Sequence, residues 1–189
     1  VNHGLQLWAA LPFAHEEAEP NFAHTAAADI PSCEEQGAKV RVLIGSAFGE
    51  TSPVKTFAPT IYLDVQMKAG ANFVLPALAP ELAVYAVDGD MSVDGTAVPA
   101  HTMAFLQEGA GATLHASAAV QLVVIGGEPL DGPRYITWNF VSSRRERILQ
   151  AGADWAAQRM GHVPGETEFI PLPGHPFGVQ EPDVKSTPV

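Results

Sequence analysis

The chain has 189 residues, 47% of them apolar and only 16% charged, which is enough to bury a substantial core in one domain or in one and part of another. Its formal net charge of -11 is spread as scattered acids, and this excludes the basic footprint that direct nucleic-acid binding needs. The single cysteine, Cys33, excludes an internal disulfide and a cysteine-rich metal site, and it reads as a free thiol in a loop. No apolar run is long enough to span a bilayer, and the first residues carry no charged stretch followed by an apolar one. The expectation is a cytoplasmic protein with no membrane partner.

In chain order, residues 5–11 (LQLWAAL) read as an apolar strand ended by Pro12, a strand without the neighbours its backbone groups need. Residues 12–37 are polar and interrupted by proline. They read as a long connection that holds at most one short strand, and in it Glu16-Glu17 and Glu34-Glu35 are solvating charge. KVRVLIGSAFG, starting at Lys39, alternates as a strand, with Val40, Val42 and Ile44 on one face and Arg41 on the other. From Ser52 to Gly127 short strands follow: VKTFA, TIYLDVQMKA, FVLPA, LAVYAVDG, MSVDG, TAVPAHTMAFLQ, GATLHASA and AVQLVVIGG. Turn signals recur about every eight to twelve residues, among them Asp88-Gly89, Asp94-Gly95 and Glu108-Gly109, and this spacing implies an antiparallel barrel or sandwich.

After Pro129 the period changes. Ser142 or Ser143 can cap a helix, and Ser143 and Glu146 stand at capping-box spacing. Ile148, Leu149, Ala151 and Trp155 give that helix, of about four turns, one apolar stripe to pack on a barrel. Arg144, Arg145 and Arg147 cluster in its first turn against the helix dipole and read as a solvated face. Residues 163–189, rich in proline and glycine around EFIPLP, should run extended.

The stretch from Gly70 to Gly89 resembles the first motif of the cupins, G-x5-H-x-H-x3,4-E-x6-G, with Pro76, Leu78 and Leu82 in the places of the two His and the Glu. On the second motif, Gly109 holds the closing glycine, Ala112 the His place and Ala116 the Asn place. Alkyl side chains offer no lone pair, so no catalytic, cofactor-binding or metal residue is assigned and the barrel centre should be packed and dry. His115 should point opposite to Ala112, to the surface, as should His101. His15, His24, His162 and His175 have no metal-ligand spacing. There is no G-x-S-x-G elbow, and Gly126-Gly127 reads as a tight strand exit rather than a phosphate loop.

Five segments, HGLQLWAALP (3–12), SPVKTFAPTIYLDVQMKAG (52–70), GGEPLDGP (126–133), WNFVSSRRERI (138–148) and VPGETEFIPLP (163–173), closely resemble bacterial pirins. The resemblance implies a double cupin, two barrels face to face, with a metal-free C-terminal barrel followed by a helix. It also implies iron (Fe2+) in a complete family member, held by three His and one Glu of the N-terminal barrel, ahead of the HGLQLW segment. His3 matches a residue beyond those motifs, so none of the four ligands has a counterpart here and the chain is expected to be a C-terminal portion of a pirin.

The expected fold class is therefore all-β, an antiparallel cupin-type (jelly-roll) barrel with a C-terminal helix plus a remnant of a preceding cupin barrel. Residues 1–49 are assigned to that remnant and the interdomain connection, 50–137 to the C-terminal barrel, 138–162 to a helix packed on it, and 163–189 to an extended tail. The family resemblance implies quercetin 2,3-dioxygenase activity in the intact protein, with this chain inactive alone and holding no cofactor. The alternative is a non-catalytic interaction module that regulates transcription factors or metabolic enzymes. Expected partners are a flavonoid-like small molecule in the intact protein, a protein partner, and a second copy of the chain through the incomplete N-terminal barrel.

Overall fold

The computed structural model describes residues 3–173. They fall into two compact units, Glu19–Pro129 on the one hand and residues 3–18 with 130–173 on the other.

In the larger unit the strands are β1 (Ser32–Glu35), β2 (Ala38–Ile44), β3 (Ser46–Ala47), β4 (Glu50–Thr51), β5 (Thr60–Met67), β6 (Asn72–Leu75), β7 (Glu81–Asp88), β8 (Met91–Val93), β9 (Thr96–Val98), β10 (Met103–Phe105), β11 (Ala112–His115) and β12 (Val120–Gly127). Six form one antiparallel sheet in the order β1-β2-β5-β12-β7-β10, and four form a second, β6-β11-β8-β9. The alternation in the sequence decides which side chains meet. Val40, Val42, Leu63, Val65, Leu122 and Val124 of the large sheet join Phe73, Leu75, Leu114 and Val93 of the small one in a single buried core. Phe48 meets Phe73 edge to face at 5.6 Å between centroids. In the middle of the large sheet β7 and β12 are buried on both faces, since Ala83 and Val123 are covered as well as Val84 and Val124. That is why their sequences read as continuous apolar runs.

Two turns close as two-residue hairpins with both central residues at positive φ, Gln36-Gly37 (50° and 78°) and Asp94-Gly95 (48° and 81°), the geometry that follows the natural twist of paired strands. The Gln36 side chain does more than turn. Its amide donates to the Val74 carbonyl (3.2 Å) and accepts from the Val74 N–H (2.9 Å), and so fills the place of a missing strand beside β6. Asp88-Gly89 and Glu108-Gly109, expected to close hairpins, instead carry the chain from one sheet to the other. The reason is that β8 pairs with β9 and β11 rather than with β7.

Several expected boundaries move. Residues 32–44, assigned with 1–49 to a preceding barrel and connection, join this barrel's large sheet, β1 at its edge and β2 paired with β5 from Ala38 to Ile44. Cys33 accordingly sits in β1 opposite Val40 rather than in a loop. Its thiol is pushed up by burial and then by the negative charges of Glu50, Glu35 and Glu34. VKTFA is not a strand, and TAVPAHTMAFLQ divides into β9 and β10, which belong to different sheets. Residues 5–11 form no strand either, for no strand among the described residues lies alongside to take their backbone groups. Leu5, Leu7 and Trp8 are exposed.

The smaller unit is built on a hairpin, β13 (Tyr135–Thr137) with β14 (Phe140–Ser142), followed by the helix α1 (Arg145–Ala156). The helix is shorter than the expected 138–162. The residues before it pair as a hairpin, and its stripe, with Ile148 and Ala151 buried but Leu149 exposed, packs on β13 and β14. Trp138 and Trp155 meet edge to face at 5.1 Å, and Phe169 stacks on Trp155 at 5.6 Å. The Trp155 indole N–H donates to the Ile170 carbonyl at 2.8 Å, so EFIPLP is tied back to the helix. The expected tail beyond Pro173, with His175, lies outside the described residues. Among the described residues no helix is long and apolar enough to cross a membrane.

Candidate functional site

The cupin ligand positions do not converge on a donor set. Leu82 and Ala112 lie in the core, Leu78 packs against it, and Pro76, just past the end of β6, faces solvent and fills nothing in the interior. Three alkyl groups and a proline supply no lone pair, so these residues do not fit a metal. Among the described residues no three of His, Cys, Asp and Glu are grouped to hold one. Along β11 the burial alternates, with Ala112 and Leu114 inward and Thr113 and His115 outward. His115 Nδ1 is 3.0 Å from Asn72 Oδ1 on the outer surface, and His101 is an exposed turn residue at φ 62°.

What the barrel does contain is an open cleft of about 400 Å³ at its mouth, between the β3-β4 hairpin, the segment leading into β5, the loop before β7 and the end of β12. Glycine makes this mouth possible. At Gly45, which has φ 84°, a Cβ would collide with the Thr60 carbonyl, and one at Gly127 would lie 2.8 Å from the Pro59 carbonyl. Gly126-Gly127 is thus a place where backbones approach closely as well as a strand exit. Val54, Ile61 and Leu78 give the cleft branched apolar surface, and Ser46, Thr51, Ser52, Thr56 and Thr60 give it hydroxyls. The buried Ser52 donates to the Leu43 carbonyl (2.7 Å) and accepts from the Val54 N–H (3.2 Å). Thr56 and Thr60 both donate to the Ala58 carbonyl, at 2.7 and 3.0 Å, and Ser46 and Thr51 share one hydrogen bond at 2.8 Å.

Elsewhere in the same unit the carboxylate of Asp64 is buried on the outward side of β5. Gln121 donates to it at 2.8 Å and Arg41 stands 3.8 Å away. Burial, then the charge of Asp64, push the Tyr62 phenol up. Gln121 and Arg41 thus satisfy the Asp64 carboxylate.

In the smaller unit the charges form a network that the sequence did not disclose. Glu16, expected as exposed solvating charge, has a side chain only 10% exposed, and its Oε1 lies 2.6 Å from Nε of Arg134, itself 5% exposed. That N–H is not aligned for a hydrogen bond, so the contact is an ion pair. Arg134 also donates to Asp131 (2.5 Å), the Gly132 carbonyl (2.6 Å) and the Leu11 carbonyl (2.7 Å), and it stacks over Phe13 at 4.0 Å. The hydrogen bond from Arg134 holds the Asp131 carboxyl below its ordinary value. Glu16 further accepts from the N–H (2.9 Å) and the hydroxyl (2.6 Å) of Ser143, which draws that serine away from capping. The helix begins with Arg144 as a cap that offers no side-chain bond, not with the expected Ser143–Glu146 box. Glu17 pairs with Arg144 and with Arg147, so two of the three arginines expected on a solvated face are neutralised locally. Glu16 and Arg134 are more than a hundred residues apart, and no local pattern could have paired them.

Comparison with known proteins agrees with this fold. The family model described as the pirin C-terminal cupin domain matches residues 62–161. A pirin-like protein of Caulobacter vibrioides is 42% identical over 173 residues, 90% of this chain and 59% of that protein. The pirin of Homo sapiens is 30% identical over 172 residues, 87% of this chain and 59% of that one. Among solved structures, a quercetin 2,3-dioxygenase from Acinetobacter baumannii superposes with a TM-score of 0.82 at 27% identity, covering 93% of this chain and 59% of that one. The chain thus spans about three fifths of the length of the curated relatives it matches.

Proposed function

We propose, since the chain belongs to the pirin family, that it supplies the barrel without a metal site in a protein of quercetin 2,3-dioxygenase type, whose metal is held by residues outside this chain. The reaction in question opens a flavonol ring with dioxygen. In this reading the barrel is scaffold, closing one wall of the cleft where the flavonol is held. One observation carries it: a structure named for that activity shares the fold over nearly all of this chain, while the cupin ligand places here hold Pro76, Leu78, Leu82 and Ala112. The test joins this chain to the portion of the Caulobacter relative that it does not span. The joined protein is expected to bind iron and consume dioxygen with quercetin, and the 189-residue chain alone to do neither. Turnover by the chain alone, or an iron-loaded joined protein that leaves quercetin intact, would refute the proposal.

A second reading, an interaction module, is favoured by one feature. Leu5, Leu7 and Trp8 leave an exposed apolar run within a strongly acidic chain. On this reading the run joins a protein partner or a second copy of the chain. Sedimentation of the wild type beside Trp8→Asp checks the second of these, with a dimer expected only for the wild type.

A further inference from the structure

We propose that the cleft at the mouth of the barrel is a binding site for a compact protonated amine with an apolar body. The assignment comes from counting donors and acceptors. No Lys, Arg or His lines the cleft, and its one charged side chain is Glu128. The hydroxyl protons of Thr56 and Thr60 are both committed to the Ala58 carbonyl, so toward a ligand these oxygens act as acceptors. Ser52 has spent its proton on Leu43, and Ser46 and Thr51 hold one of their two protons between them. The rim is therefore rich in acceptors and short of donors. An anion would find repulsion from Glu128 and a single uncommitted hydroxyl proton, whereas an ammonium brings donors to the free hydroxyl oxygens.

The rest of the cleft selects the body. Val54, Ile61 and Leu78 offer alkyl surface and no aromatic ring lines the site, so a saturated ring or short branched chain fits better than a flat conjugated one. The net charge of -11 raises the local concentration of cations around the whole chain. Where metal-binding barrels place a ligand, this one has Leu78, and it becomes part of the apolar wall of an organic-ligand site. The proposal does not rest on the flavonol reading, in which the metal belongs to residues outside this chain and the barrel serves as scaffold.

The experiment uses the 15N-labelled 189-residue chain and three probes of matched shape, cyclohexylamine, cyclohexanol and cyclohexanecarboxylate, titrated at neutral pH. Cyclohexylamine is expected to give saturable shifts at the amides of Thr51, Thr60 and Gly127. The alcohol should bind there roughly fivefold more weakly, the scale of one exposed ion pair, and the carboxylate not at all. Glu128→Gln, at an exposed position, should lower amine affinity to that of the alcohol and leave the alcohol unchanged. Leu78→Phe should weaken both, which separates loss of the body's site from loss of the charge. Equal binding of amine and alcohol, an amine affinity untouched by Glu128→Gln, or no saturable shift at these amides would overturn the proposal.

Discussion

Around Leu63 and around Arg134 the two units bury opposite chemistries. The barrel encloses a continuous set of apolar side chains from two sheets, and its buried polar groups, Asp64 and Ser52, lie outside that core cluster. The smaller unit places an arginine and a glutamate out of water together and uses them to hold residues 11–17 to the hairpin and helix. Alkyl burial is non-directional, and its yield follows area, so it tolerates small shifts. A buried ion pair is stabilising only while both partners and their hydrogen bonds are in place, so it specifies one arrangement and fails when either partner is lost. The difference matters for function as well. The barrel's interior has no donor set left for a metal, and polar groups open to a ligand line the cleft at its mouth instead.

All three tryptophans, Trp8, Trp138 and Trp155, belong to the smaller unit, so tryptophan fluorescence follows that unit while the far-ultraviolet dichroism of strands follows the barrel. The largest effect is expected from Phe73→Ala. Truncating this fully buried ring should destabilise the barrel by about 4 kcal/mol, seen as an earlier loss of strand dichroism in urea with tryptophan emission unaffected at the onset. Next, Arg134→Met leaves Glu16 buried without its partner and should cost the smaller unit about 3 kcal/mol, seen in tryptophan emission first. The double variant Glu16→Leu with Arg134→Met should recover much of that loss. If both variants were equally unstable, the ion pair would not be what matters at this site.

A smaller effect follows from acid. The folded carboxyl of Asp131 is held below its ordinary value by the hydrogen bond from Arg134, and that of Asp154 by the hydrogen bond from Arg159. A depressed carboxyl contributes stability that is present above its unfolded pKa and is lost as pH falls through the folded one. Lowering the pH below about 4 should therefore loosen the smaller unit before the barrel, read as a change in tryptophan emission ahead of any change in strand dichroism. The reverse order would contradict the contrast drawn between the units. The smallest effect is Gln36→Ala, which strips the side-chain cap from β6 and should cost about 1 kcal/mol, with faster hydrogen exchange at the Val74 amide and little change elsewhere.

The barrel was legible because its information is local. Alternation along TIYLDVQM and ATLH names the inward side chains, and Asp94-Gly95 closes the hairpin that its chemistry demands. Where the sequence misled, the deciding partner was distant. Nothing local places the short strand that the polar connection could hold; β1 forms at Ser32–Glu35 because β2 is beside it, with Glu34 and Glu35 as ordinary polar residues of an edge. Ser143 and Glu146 have capping-box spacing, but Glu16 takes Ser143 first. LQLWAAL has strand composition and no described strand to pair with. The ligand positions were readable as apolar one by one, though not that Pro76 would stand outside the core. The cleft was not readable at all, since its walls come from four separate stretches between Gly45 and Glu128.

Whether this barrel holds a metal of its own is read from the iron content of the chain after anaerobic loading with Fe2+ and removal of free metal. With Pro76, Leu78, Leu82 and Ala112 at the cupin ligand places, far less than one iron per chain is expected. One tightly held iron per chain would contradict this expectation.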